Sequence, residues 1–110
     1  MWGDFMEMNE LLDFVDKEHE RLVTYYNTKG DPNTKYRMFV KLIEELGELS
    51  DAILAADALQ RKEKLEKASD KLEHEFADVL ICALILSKEM KVDIRKALKE
   101  KIQEIKKRKY

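Results

Sequence analysis

The run Val79-Leu80-Ile81-Cys82-Ala83-Leu84-Ile85-Leu86 is apolar at every position. Read as a helix, it is apolar on all faces, and such a helix must be covered on all faces. It is far shorter than the roughly 20 residues a membrane span requires, so its place is a protein interior. In a chain of 110 residues, these constraints predict a central helix with part of its surface at a subunit interface.

Upstream of that run, Asp70 and Glu73 have the spacing of a capping box and predict a helix start at Asp70. Gln60 to Ser69 is strongly charged and nearly free of apolar residues. It reads either as a helical extension or as a mobile connector. Before it, Phe39, Leu42, Ile43, Leu46, Leu49, Ile53 and Leu54 form an apolar stripe on a helix from about Thr34 to Leu59. The segment Thr28-Lys29-Gly30-Asp31-Pro32-Asn33 is the clearest breaker. Gly30 suits the end of one helix, and Asp31 before Pro32 suits the start of the next. A first helix over about Glu7 to Asn27 carries Leu11, Leu12, Val15, Leu22 and Tyr26 at helical spacing. Downstream, Asp93 caps a last helix with Ile94, Leu98, Ile102 and Ile105 on one face. The expected architecture is all-α and four-helix bundle-like, one domain over residues 1–110, associating as a homodimer or homotetramer.

Composition agrees. Three Gly and one Pro leave few turn residues for a many-stranded sheet, and 40% of residues are charged. The 21 basic and 23 acidic residues nearly cancel to a net charge of -2. Nothing in that balance favours nucleic acid or an anionic membrane as a partner. Cys82 is the single cysteine, too few for an intrachain disulfide or a cysteine-based zinc site. Met1 to Glu7 lacks the basic-then-apolar layout of a signal peptide. A cytoplasmic protein is expected.

Two acidic clusters carry candidate chemistry. Glu44-Glu45-Leu46-Gly47-Glu48 places three carboxylates along one side of the second helix, beside Leu42, Ile43, Leu46 and Leu49. Glu75-Phe76-Ala77-Asp78 places two more one turn apart, directly before the apolar run. Like charges at this spacing repel, and desolvation near a core adds to the cost. A hard divalent cation such as Mg²⁺ offsets both, since it takes oxygen ligands. Bound between two such helices, it could engage phosphate oxygens and activate water. Charged pairs on helices are usually just solvated faces, and each cluster alone occurs readily by chance. A di-iron bundle is a poorer fit, because neither His19 nor His74 has a Glu three residues before it.

The ordered pair of clusters resembles the MazG-like, all-α NTP pyrophosphohydrolase superfamily, whose mark is E-E-x-x-E on one helix and E-x-x-D on the next. The similar stretches are Lys41 to Leu49, Glu75 to Leu80 and Met90 to Ile94, within a resemblance over roughly Lys35 to Tyr110. It implies a MazG-like helical domain that hydrolyses a nucleoside triphosphate to the monophosphate and pyrophosphate. It implies Glu45, Glu48, Glu75 and Asp78 as Mg²⁺ ligands, with Mn²⁺ as a substitute. Glu44 and Glu45 are then the catalytic carboxylates, Glu44 as a further ligand or by orienting the attacking water. Phosphoribosyl-ATP pyrophosphohydrolase and dimeric dUTPase share similar acidic helices, so the resemblance leaves the substrate class open. The family's last helix often has a Lys, an Asn four residues on, then basic residues and a Tyr. Lys101 fits the first position as a phosphate contact, Ile105 stands at the Asn position, and Lys106 to Lys109 precede Tyr110. Loss of that Asn removes one polar contact to nucleotide. It keeps open a non-catalytic helical interaction module, a degenerate relative, as the alternative.

Other residues have plainer readings. His19 and His74 read as surface residues, Cys82 as an inert core residue, and Gly47 as a point of close helix approach. Trp2, Phe5 and Tyr36 read as core or interface aromatics that could also stack on a base.

Overall fold

The computed structural model describes residues 5–58 and 62–110. It contains α1 (Met8–Tyr25), α2 (Thr34–Ala58), α3 (Lys62–Glu89) and α4 (Ile94–Lys106), with no strand among the described residues. The expected all-α class and the order of four helices are therefore observed. Trp2, Leu59 and Gln60 lie outside the described residues.

The turn between α1 and α2 is built differently from the expectation. Asn27, at φ 53, rather than Gly30 closes α1. Its N–H donates to the Thr24 carbonyl and the next N–H, of Thr28, donates to the Val23 carbonyl at 2.9 Å. This pair of bonds satisfies the last carbonyls of the helix. Gly30, at φ 79, serves the following turn. The Asp31 carboxylate accepts from the Asn33 N–H at 2.9 Å, and the Thr34 hydroxyl donates to the Thr28 carbonyl at 3.0 Å. Both bonds tie the loop directly onto the start of α2.

The capping box at Asp70 is overturned: α3 already begins at Lys62 and runs through Asp70. The reason is local. Lys62 to Ala68 is composed of Lys, Glu, Leu and Ala, all strong helix formers, so the helix extends upstream. At its other end Lys91 sits at φ 58 while Val92 N–H donates to the Ser87 carbonyl at 2.9 Å. Asp93 then caps α4 as expected, accepting from the Lys96 N–H at 3.1 Å.

The third helix is the hub, contacting α1, α2 and α4, with its longest contact along α2. His19, expected at the surface, is half-buried and bonds Glu89 at 2.9 Å. Together with Lys88–Asp16 at 3.2 Å it ties α1 to the end of α3. Arg95 also donates to Asn9, joining the start of α4 to α1.

Within one chain the apolar run is covered only in part. Ile85 is buried, but Leu80 is 63% exposed. On α2, Leu49 and Ala52 are buried, while Phe39, Ile43, Ile53 and Leu54 are exposed, and no residue of α4 is buried. The radius of gyration is 16.9 Å, against about 13 Å for a close-packed domain of this length. The four helices pack more loosely than a fully closed bundle of this length would. Gly47 has no packing role either, since a Cβ there would meet nothing within 4 Å. No helix among the described residues is long and apolar enough to cross a membrane.

Lys91 holds a left-handed conformation that L-residues adopt at a cost of about 1 kcal/mol or more. Lys91→Gly is expected to raise unfolding stability by up to about 1 kcal/mol, less the entropy that Gly adds to the unfolded chain. The same change at Asn27 should do less, because Asn tolerates this region. Urea denaturation of the two variants checks the ranking.

Candidate metal centre

The buried face of α2 is interrupted by a carboxylate. Glu45 lies one turn before Leu49 and two before Ala52, so the spacing that seats those residues against α3 seats Glu45 there too. Glu75 is in the corresponding place on α3. Glu45 is only 8% exposed and Glu75 only 7%. Each keeps one oxygen, Oε2, shielded from solvent with no hydrogen-bond partner. Glu48, one turn beyond Glu45 and exposed, completes the group. Carboxylate oxygens of Glu45, Glu48 and Glu75 all lie within 4.8 Å of one another.

The electrostatics follow from that crowding. Burial pushes the Glu75 carboxyl above its ordinary range, and the charges of Glu48, Glu45 and Asp78 push in the same direction. On the other side of Glu45, Lys41 Nζ approaches Oε1 at 3.2 Å and Glu44 at 3.9 Å. The bond to Glu45 is the main reason the Lys41 ammonium is held above its usual value. Lys41 thus partners one oxygen of Glu45 and leaves the other facing Glu75.

The donor set suits a hard divalent cation. It consists wholly of oxygen, and octahedral coordination at about 2.1 Å sets neighbouring ligand oxygens about 3 Å apart and opposite ones about 4 Å apart. The observed oxygens, within 4.8 Å of one another, approach that spacing. A cation would also satisfy the two buried oxygens that lack a partner.

A cleft of about 590 Å³ opens beside this cluster, between α1, α2 and α3. Glu45 belongs to both, and Glu44 and Asp78 lie on the cleft's wall. Cys82, expected in the core, is half-buried and lines the cleft as well. Burial first, then the Glu45 charge, pushes its thiol pKa up, with Lys41 opposing and Asp78 adding slightly.

A model of the MazG nucleotide pyrophosphohydrolase domain matches residues 33–110. The chain belongs to this family. Among curated proteins and solved structures, none matches the chain at a significant level. The segment matched to MazG contains Glu44, Glu45, Glu48, Glu75 and Asp78 and begins after α1.

Of the site residues expected from sequence, the MazG fold gathers Glu45, Glu48 and Glu75 into one cluster. Asp78 is one turn from Glu75 and close enough to raise its pKa, and Glu44 is turned outward beside Lys41. Lys101 stands apart from these residues in its described contacts. It pairs with Glu104 on its own helix at 3.2 Å, and no α4 residue lines the cleft. Sequence reasoning missed Arg37 and Lys41 in the cleft wall. The spacing Arg37, Lys41, Glu45, four residues at each step, was the available signal.

Because the folded state disfavours the Glu75 anion, the unfolded chain ionises first as pH rises. Stability contributed by the neutral form is present at low pH and lost through that window. Glu75→Gln is therefore expected to raise the melting temperature of the metal-free protein near pH 7.5, with little change near pH 4. Added Mg²⁺ should raise the wild-type melting temperature near pH 7.5 and leave that of the variant unmoved. Circular dichroism melts at both pH values read the result.

Proposed function

We propose that this chain is a Mg²⁺-dependent nucleoside triphosphate pyrophosphohydrolase that converts an NTP or dNTP to the monophosphate and pyrophosphate. The observation that carries the reading is the convergence of Glu45, Glu48 and Glu75 from two helices, with two buried oxygens lacking partners. Membership of the MazG nucleotide pyrophosphohydrolase family supports it.

Glu45, Glu48, Glu75 and Asp78 would hold the ion, with Mn²⁺ able to replace Mg²⁺. The bound metal would supply charge neutralisation at the triphosphate and Lewis acidity at the reacting phosphoryl group. The chain's own contribution is positioning. Packing of α2 on α3 fixes Glu45 and Glu75, and Lys41 fixes the rotamer of Glu45 through its 3.2 Å contact. Glu44, exposed at the rim of the cleft, is placed to orient a water molecule toward the α phosphorus. As the water adds, the bond from the α phosphorus to the pyrophosphate oxygen would break, and release of both the monophosphate and pyrophosphate would empty the site. Catalysis of this kind rests on orientation and charge stabilisation, not on a protein nucleophile.

The same reading takes residues 1–110 as one domain of a cytoplasmic enzyme, working as a homodimer or homotetramer. A second copy would cover the exposed faces of α2 and α4 and the outward side of Leu80. In that assembly Lys101 would reach phosphate from a neighbouring subunit.

The test is pyrophosphate release from a panel of ribo- and deoxyribonucleoside triphosphates, dUTP and phosphoribosyl-ATP included, with and without Mg²⁺. Metal-dependent release is expected from wild type. Glu48→Gln should lower kcat by about two orders of magnitude or more without lowering the melting temperature. Absence of turnover on every substrate, with no thermal shift on adding Mg²⁺, would overturn the reading and leave a non-catalytic helical interaction module.

A further inference from the structure

We infer that the cleft between α1 and the α2–α3 pair is the nucleobase subsite, that α1 is its selecting wall, and that Glu18 favours amino-bearing bases. This inference rests on the pyrophosphohydrolase reading and specifies its substrate.

The cleft changes character along its length. At one end stand Glu44, Glu45 and Asp78, beside the metal cluster. Lys41 and Arg37 follow on α2, one and two turns before Glu45, or about 6 and 12 Å along the helix axis. The far part is walled by Phe14, Leu22 and Tyr26 from the α1 side and by Met38 and Ile85 from the other, with Ile81 between Asp78 and Ile85. A nucleotide has the same polarity order, with anionic phosphates, then sugar, then a flat ring with apolar faces. The volume of about 590 Å³ lies within the range of about 300–1,000 Å³ typical of small-molecule sites.

Phe14 and Tyr26 are exposed aromatics on the rim, and each offers a flat face to a base. Neither Phe5 nor Tyr36 lines the cleft. Glu18 is half-buried in the wall between them, one turn after Phe14. Its ion pair with the largely exposed Arg21 is a surface pair at 3.2 Å, of a weak kind, so a ligand can displace it. An ionised carboxylate accepts and cannot donate. It therefore prefers a base edge rich in N–H, such as the amino groups of adenine, cytosine or guanine, over uracil or thymine. The family match starts at residue 33, so this wall is built by the part of the chain outside the shared catalytic segment. Chemistry and selection are thereby assigned to different helices.

Steady-state pyrophosphate release is measured for wild type, Leu22→Trp and Glu18→Gln on nucleoside triphosphates and on base-free ribose 5-triphosphate. Circular dichroism confirms that both variants fold. Leu22→Trp should raise the KM for nucleoside triphosphates at least tenfold, to the value wild type shows with ribose 5-triphosphate. Glu18→Gln should reduce the kcat/KM preference for amino-bearing bases over uracil by several-fold. Unchanged KM and unchanged base preference in folded variants would overturn the inference while leaving the pyrophosphohydrolase reading intact. A second arm needs no turnover: nucleosides without phosphates are titrated into labelled wild-type protein and amide shifts are followed by NMR. Shifts at Phe14, Leu22 and Tyr26 support the subsite even where the catalytic reading has failed, and no shift there counts against it in either case.

Discussion

Two carboxylates, Glu45 and Glu75, are held nearly out of solvent in the seam between α2 and α3, and each keeps one oxygen without a partner. Everything else in the molecule accommodates that arrangement. The α2–α3 contact is the largest in the chain, yet its centre contains repelling, desolvated acids where an apolar pair would be more stable. Lys41 relieves one side of Glu45, while the side facing Glu75 meets a second carboxyl rather than a cation among the described residues. The raised pKa of Glu75 records that imbalance. A site of this kind is poised for a cation, because binding removes both the repulsion and the unmet hydrogen-bonding need.

Around this seam the chain packs thinly. Its buried apolar residues are few: Val15, Val23, Leu49, Ala52 and Ile85 among the described positions. Side-chain ties such as His19–Glu89 and Asp16–Lys88 hold α1 to α3 where packing alone is thin. That thinness also opens the cleft. Because α1 meets α3 mainly toward the latter's C-terminal end, space remains between α1 and the first half of α2, next to the acidic cluster. Loose packing and the proposed binding geometry are thus two consequences of one arrangement.

Local chemistry made much of this legible. Helix-forming composition and regular apolar spacing predict helices α1, α2 and α4 within a few residues, and the Asp93 cap is found where expected. The start of α3 was misread because Asp70 and Glu73 imitate a cap, although the preceding residues favour helix strongly enough to run through it. Gly30 was the conspicuous stop signal, but Asn27 reached the left-handed region first. The role of His19 was not legible, since its partner is 70 residues away.

The sequence by itself determined the helical class, the order of the elements, and the two acidic motifs that family membership reflects. These depend on residue type and spacing along one helix, which short-range sterics and hydrogen bonding control. Only the tertiary structure decided which carboxylates meet. Glu44 and Glu45 are neighbours in the chain, yet one is turned to solvent and the other is buried against Glu75. Successive helical residues diverge by about 100°, and which of them faces inward depends on how α2 is rotated against α3. That rotation is set by side chains on both helices at once, as is the distance at which α1 stands off to leave the cleft.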